Sequence, residues 1–357
     1  MRLPCSVHFD NYQADHAWWQ TKWVWFRMVL GIAFLFLLVP RFIGEYWLST
    51  FNMVGYTILG AIGVNLLIGF TGLITLGHAA PIGFGAFTCA LCMYLLGIPY
   101  IPALISGMIA GGLLSLLFGL PCVKVKGFYV IMTTMAMQFI IVDIVLTQFL
   151  GPLAGRGRGG VLMIEPEMFS IGPWVIYSVK DAYIWMLILV IIVQVFMANL
   201  LRTKVGRAWA AIRDNDIAAE ALGVDIVRYK LLAFFIAGAM GGLAGCYWLT
   251  NLSIVSPEHF QFTWSLWLVG IILIGGTGSM YGHIYGALFL TLMLEFIKLG
   301  LMPLAAVWPE VATKFLYLKD VFFGLIIILF LIFEPNGLAY RWWRVKRYFW
   351  LWPFPYD

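Results

Sequence analysis

The sequence predicts an all-α polytopic integral membrane protein with about ten transmembrane helices. Three observations carry that expectation. Of its 357 residues, 62% are hydrophobic and 11% charged, with mean hydropathy +0.93, far from the makeup of soluble domains. Apolar stretches near the roughly 20 residues that span a bilayer recur along the whole chain. The basic residues, finally, are distributed unevenly between alternate loops.

The expected spans are 27–44, 50–70, 79–97, 101–120, 128–150, 183–201, 231–251, 264–280, 283–301 and 320–334. With the N-terminus cytoplasmic, ten spans place Arg2, Lys22, Arg27, Lys124, Lys126, six basic residues between Arg202 and Lys230, and Arg341, Arg344, Lys346 and Arg347 inside. The outer side receives only Arg41, Arg156, Arg158, Lys180, Lys298, Lys314 and Lys319. That bias follows the positive-inside rule and puts both termini in the cytoplasm, as in a multi-pass protein of a prokaryotic inner membrane. It also explains the net charge of +5 without nucleic acid as a partner.

Residues 1–26 form a cytoplasmic N-terminal segment. They carry Asp10 and Asp15 and several Trp, without an apolar core beside a small-residue cleavage site, so they do not read as a secretory signal. Residues 27–340 are the membrane domain and 341–357 a cytoplasmic tail. Trp18, Trp19, Trp23, Trp25, Trp342, Trp343, Trp350 and Trp352 sit where amphipathic rings favour the membrane interface, in contact with lipid. Cys89 and Cys92 have the spacing of a redox or metal pair, but inside an apolar span they read as small buried hydrophobes. No His-rich tract and no Walker-type phosphate loop is present.

The second and third spans are joined by the glycine-dense run 69–86, and a similar run, 273–283, recurs late in the chain. Irregular backbone at membrane depth is tolerated only where protein or a wet cavity satisfies it, so both runs are candidates to line a translocation pathway. Close helix packing through glycine is the alternative. Pro81 suits the first turn of the helix that follows the first run.

Residues 151–182 form the longest outer loop. Its Arg156 and Arg158 face either an acidic group or solvent. The segment 202–230 is different in kind. Asp214 or Asn215 can cap a short helix over Ile217 to Leu222, and Gly223 supplies its stop. Such a helix presents Ile217, Ala218, Ala221 and Leu222 as an apolar face, for a partner groove or for the lipid surface.

Five runs together resemble one known family: Asn65 to Ala80, Lys124 to Tyr129, Ala211 to Val224, Gly275 to Gly282, and Phe333 to Leu338. The chain is similar, over roughly residues 55–340, to the larger permease subunit of branched-chain amino-acid ABC importers. The resemblance implies a permease that is not itself an enzyme and holds no cofactor. ATP and Mg would be bound by two ABC ATPase subunits, beside a second homologous permease and an extracytoplasmic solute-binding protein. It implies that Asn65, Thr71, Gly72, Gly77, His78, Gly276, Thr277 and Gly278 belong to the substrate pathway. Backbone donors near Gly77 to Ala80 would then meet the anionic end of a solute. Arg213, Asp214, Asn215, Ala219, Glu220, Ala221 and Gly223 would form the ATPase coupling helix, with Arg213 and Glu220 in charged contacts at the rim of the ATPase groove and Ala219 and Ala221 allowing close approach.

The chain departs from that pattern at Arg156 and Arg158, which interrupt the loop glycines, and at Pro81, where an aromatic is common. Gln138 stands near a position that often carries Glu or Gln. His78 occupies a place where relatives carry His or Gln, so urea, amides and aromatic or organic acids remain alternatives to branched-chain amino acids. An ion-coupled secondary transporter would need buried acids in its spans, where only Asp143, Glu295 and Asp320 are candidates. A membrane-embedded enzyme would need clustered catalytic groups, and the five histidines are scattered.

Overall fold

The computed structural model describes residues 22–124, 127–150, 153, 161–307 and 309–351. Arg156 and Arg158 lie outside the described residues, as do residues 1–21 and 352–357. The described chain is built from helices α1 (Lys22–Ala33, continued by Phe34–Leu38 and Val39–Phe42), α2 (Glu45–Val64), α3 (Ala79–Leu96), α4 (Tyr100–Lys124), α5 (Phe128–Phe139, continued by the π-helical Ile140–Leu150) and α6 (Val179–Arg202). They are followed by α7 (Lys204–Asp214), α8 (Asp216–Ala221), α9 (Ile226–Leu252), α10 (Phe262–Gly275), α11 (Gly282–Val307), α12 (Pro309–Phe333) and α13 (Gly337–Leu351).

Among the described residues, seven helices are long and apolar enough to cross a membrane. They correspond to the second through seventh and the ninth expected spans. The remaining three are irregular. The first is a shorter apolar helix, Val29–Phe42. The eighth, α10, stops at Gly275 after 14 residues, roughly 21 Å and short of a bilayer core of about 30 Å. The tenth belongs to a pair, Lys319–Phe333 and Gly337–Tyr348, bent by 44°. Pro335, which cannot continue a helix, and Gly337, at φ +75°, sit at that bend.

Helices α2 and α9 form the interior. Their apolar windows are 83% buried, against 28% for α11, whose outer side is exposed. Small residues make this possible. Gly238 and Gly242 on α9 face Gly107 and Gly111 on α4, and a Cβ at Gly111 would fall 2.7 Å from the Gly238 carbonyl. This is the spacing of four that lets helix backbones touch in a membrane, where apolar side chains gain nothing by leaving lipid.

Two helix breaks interrupt the bundle where the glycine-dense runs predict them. After Val64, α2 widens into a π-helical turn, Asn65–Phe70, and the chain then runs irregularly to His78. Gly72 there takes φ +71°, a value that costs glycine nothing. The second break separates α10 from α11, with Gly276 at φ +108° and Gly278 at φ +71°. The end of α6, the segment 203–225 and the start of α9 lie on the same face of the bundle as the two breaks. On the opposite face the loops carry structure that an all-α reading omits. Strand β1 (Leu162–Met163) pairs with β4 (Ile254–Val255), and β2 (Ser170–Ile171) pairs with β3 (Trp174–Val175), all antiparallel. These short ladders satisfy backbone groups that the loops bury.

Candidate functional site at the meeting of two helix breaks

The two breaks are packed against each other, and Asn65 is the clasp. Its Nδ2 donates to the Ser279 carbonyl at 2.8 Å, and its Oδ1 accepts from the Gly278 N–H at 3.1 Å. One side chain thereby satisfies a donor and an acceptor of irregular backbone inside the bundle. A second polar side chain completes the clasp from α6. Gln194 donates to the Met280 carbonyl at 2.8 Å, and its Oε1 lies 2.9 Å from Nε2 of the buried His283. Asn65, Gln194 and His283 thus hold the loop 276–281 from three helices.

Arg213, at the end of α7, ties the 202–230 segment to this junction. Its Nη1 donates to the Gly69 carbonyl, and the guanidinium lies against Gly278. The guanidinium reaches the backbone of both breaks, while Arg213 as a residue stays exposed at the surface. Beside it, a cavity of about 160 Å³ is lined by Thr71, Gly72, Gly127, Arg213, Asp216 and Lys230 among others. Lys230 is buried in the first turns of α9 and lies 3.8 Å from Asp216 of α8.

The short helix itself forms as the sequence predicts, though one position differs. Asn215 caps α8, accepting from Ile217 N at 3.1 Å and Ala218 N at 3.2 Å, and Gly223 ends it at φ +85°. Ile217 is 69% and Leu222 84% exposed, with Asp214, Ala218, Glu220 and Ala221 also on the surface. Ala219 is buried, 2% exposed, so it packs on its own chain and is not open to a partner. The reason is helical phase: Ala219 points opposite to the apolar face made by its neighbours.

The start of α3 also differs from expectation. Its first free donors are already taken: Ala79 N donates to Ser265 Oγ at 2.9 Å and Ala80 N to Gln138 Oε1 at 2.7 Å. Gln138 in turn donates to the Phe260 carbonyl at 2.7 Å. These side chains act as an N-cap supplied by α5 and α10, so no open anion site remains at Ala79 and Ala80. Thr71 is buried and its hydroxyl donates to the Leu67 carbonyl at 2.6 Å. Gly77 presses on the Thr134 backbone of α5. His78 is buried beside Gly63 and Gly241, and its Nε2 has no hydrogen-bond partner. Thr277, by contrast, is exposed, and Gly276 backs onto the Asn336 carbonyl.

Sequence reasoning assigned no role to Gln194, a single polar residue in an apolar helix with no motif around it, or to His283, which closes the glycine-dense run 273–283. Their signal was polarity at membrane depth, where such groups seek partners. The acidic Glu295 is bound within the chain, to Lys298 at 3.0 Å and to the Tyr46 hydroxyl. Among the described residues no cluster of His, Cys, Asp or Glu forms a metal-binding group.

Residues 46–331 match the family described as branched-chain amino acid transport system, permease component. The high-affinity branched-chain amino acid transport system permease protein LivM of Escherichia coli K12 is 30% identical over 335 residues, covering 87% of this chain and 73% of that protein. LivM of Salmonella typhimurium is 29% identical over 334 residues, with the same coverage. The autoinducer 2 import system permease protein LsrC of Yersinia pseudotuberculosis serotype O:3 is 27% identical over 323 residues, 86% of this chain and 83% of that protein. No solved structure matches the chain.

Proposed function

The chain belongs to the family of branched-chain amino-acid transport permease components, and from that premise we propose that it moves branched-chain or related amino acids inward at the expense of ATP hydrolysed by partner subunits. It is a multi-pass membrane permease of an ABC-type import system. In the proposed assembly it pairs with a second, homologous permease, two ATPase subunits dock on the cytoplasmic side, and a solute-binding protein delivers substrate from outside. The termini and the segment 202–230 are then cytoplasmic.

The observation that carries the reading is the contact of Arg213 with Gly69 and Gly278. The exposed face of α8, with Ile217, Ala218, Ala221 and Leu222, is the surface an ATPase groove would take up, and Glu220 is the charge at its rim. Movement of α8 reaches Arg213 through Asp214 and Asn215, and Arg213 pulls on both helix breaks at once. In this reading the packed breaks, with Asn65, Thr71, Gly72, Gly77, His78, Gly276, Thr277 and Gly278, are the closed inner gate of the pathway. Ala219 is assigned a different part, as the buried residue that seats α8 on the membrane domain.

The test is uptake of labelled leucine into proteoliposomes holding the complete importer, with leucine, urea, aromatic acids and dicarboxylates as competitors. Leu222→Asp and Glu220→Arg should each remove ATP-driven uptake and ATPase co-purification while the permease still inserts and retains its thermal stability. Normal coupled uptake in both variants would refute the docking of α8. Uptake that needs an ion gradient rather than ATP would refute the motor.

A further inference from the structure

A groove on the exposed side of α11 has the polarity of a phospholipid. Its polar mouth is a cavity of about 670 Å³ between the 276–281 loop and α13, lined by Ser279, Tyr281, Asn336, Tyr340, Trp343 and Lys346 among others. Tyr285 and Trp342 line both this mouth and an adjoining cavity of about 550 Å³. That second cavity is walled by Leu288, Phe289, Leu292, Met293 and Phe296 of α11, with Val345 of α13 closing the far side. From Tyr285 to Phe296 the wall rises roughly 16 Å, about half of the hydrocarbon core of a bilayer and therefore about one leaflet.

The helix α13 is basic, with Lys346 in the lining of the mouth and Arg341 in that of the slot. Arg341, Arg344, Lys346 and Arg347 lie within one short stretch of α13, directly after a membrane helix, and the only acidic residue in 321–351 is Glu334, which pairs with Arg341. The Arg344 guanidinium lies over the Tyr340 ring at 5.2 Å and that of Arg347 over the Trp343 ring at 5.3 Å. These contacts hold both cations at the level where aromatic rings collect, the headgroup region. Leu288, Phe296, Trp342 and Val345 are exposed, so the groove opens sideways to the bilayer rather than into the bundle.

We propose that the groove between α11 and α13 binds an anionic phospholipid of the leaflet on the α7–α8 side, its phosphate beside Lys346, within the field of Arg344 and Arg347 of the same helix, and one acyl chain along α11. A basic cluster just beyond a membrane helix selects anionic lipid, and an apolar slot beside it turns surface attraction into a site. The lipid then braces the 276–281 loop, which forms the inner wall of the mouth.

The experiment is photolabelling of the complete importer in vesicles carrying photoactivatable phosphatidylglycerol or phosphatidylcholine, mapped by peptide mass spectrometry. The phosphatidylglycerol probe should label α11 and α13 peptides several-fold more than the phosphatidylcholine probe. The double variant Arg344→Gln/Lys346→Gln should cut that preference roughly tenfold, and Leu292→Trp, which fills the slot, should lower labelling by both probes. Assembly with the partner permease and thermal stability serve as the folding control. Equal labelling by the two probes, or labelling indifferent to all substitutions, would overturn the proposal. So would full competition by soluble glycerol phosphate, or capture of the partner permease by a cross-linker at position 292. Labelling needs no ATP, so it stands or falls separately from uptake.

Discussion

The guanidinium of Arg213 donates to the carbonyl oxygen of Gly69, joining the end of α7 to the end of the π-helical turn of α2 across 144 residues of sequence. A hydrogen bond to a charged donor contributes about 1.5–3 kcal/mol, and its loss leaves a carbonyl of irregular backbone unpaired. Arg213→Ala should therefore free α7 from both breaks without unfolding either. The expected outcome is that ATP hydrolysis by the assembled importer persists, while leucine uptake falls at least tenfold. ATPase and uptake rates measured on the same proteoliposomes check this, and uptake at the wild-type ratio to hydrolysis would count against the strut.

Asn65→Leu removes a donor and an acceptor together and strands the Ser279 carbonyl and the Gly278 N–H. Each stranded group costs about 1–3 kcal/mol, so this substitution should lower thermal stability in detergent by several degrees. Asn65→Asp keeps the acceptor but sets a buried carboxylate against the Ser279 carbonyl, and its loss should be at least as large. Equal melting temperatures for all three proteins would show that the clasp does not hold the breaks together.

The pattern of what the sequence revealed follows from locality. The breaks were legible because glycine density and Pro81 are local marks of irregular backbone, and the short helix was legible from Asn215 and Gly223. Their mutual docking was not, since Asn65 and Ser279 stand 214 positions apart and nothing near either names the other. The phase of α8 was legible too, since the spacing puts Ile217, Ala218, Ala221 and Leu222 on the exposed face; only the close approach that the resemblance implies for Ala219 differs, because Ala219 lies off that face and is buried. The cap on α3 was missed because Ser265 and Gln138 come from other helices.

His259 lies in the short turn Pro257–Phe260, outside the spans, with its ring 5.3 Å from that of Trp248. Burial lowers its pKa below the ordinary 6.5, and the nearby Glu258 charge only partly opposes this. The unfolded chain then binds the proton more readily than the folded one. Stability is unaffected above the ordinary value and falls as pH drops below it, down to the lowered folded pKa. Thermal denaturation at pH 7 and pH 5 should show a larger drop for the wild type than for His259→Gln. An identical drop in the two proteins would place the pH sensitivity elsewhere.

His78 presents the sharpest conflict between stability and use. Its Nε2 is buried between Gly63 and Gly241 with no hydrogen-bond partner, at a site where a polar atom without one costs about 1–3 kcal/mol. An unpaired group of this kind persists in a packed interior where function retains it, and removing it trades activity for stability. His78→Leu should therefore raise the melting temperature while cutting uptake at least tenfold and leaving ATPase association intact. His78→Gln, which restores a polar end of similar reach, should recover part of the uptake. A leucine variant that is both more stable and fully active would reduce His78 to a packing residue and remove it from the pathway.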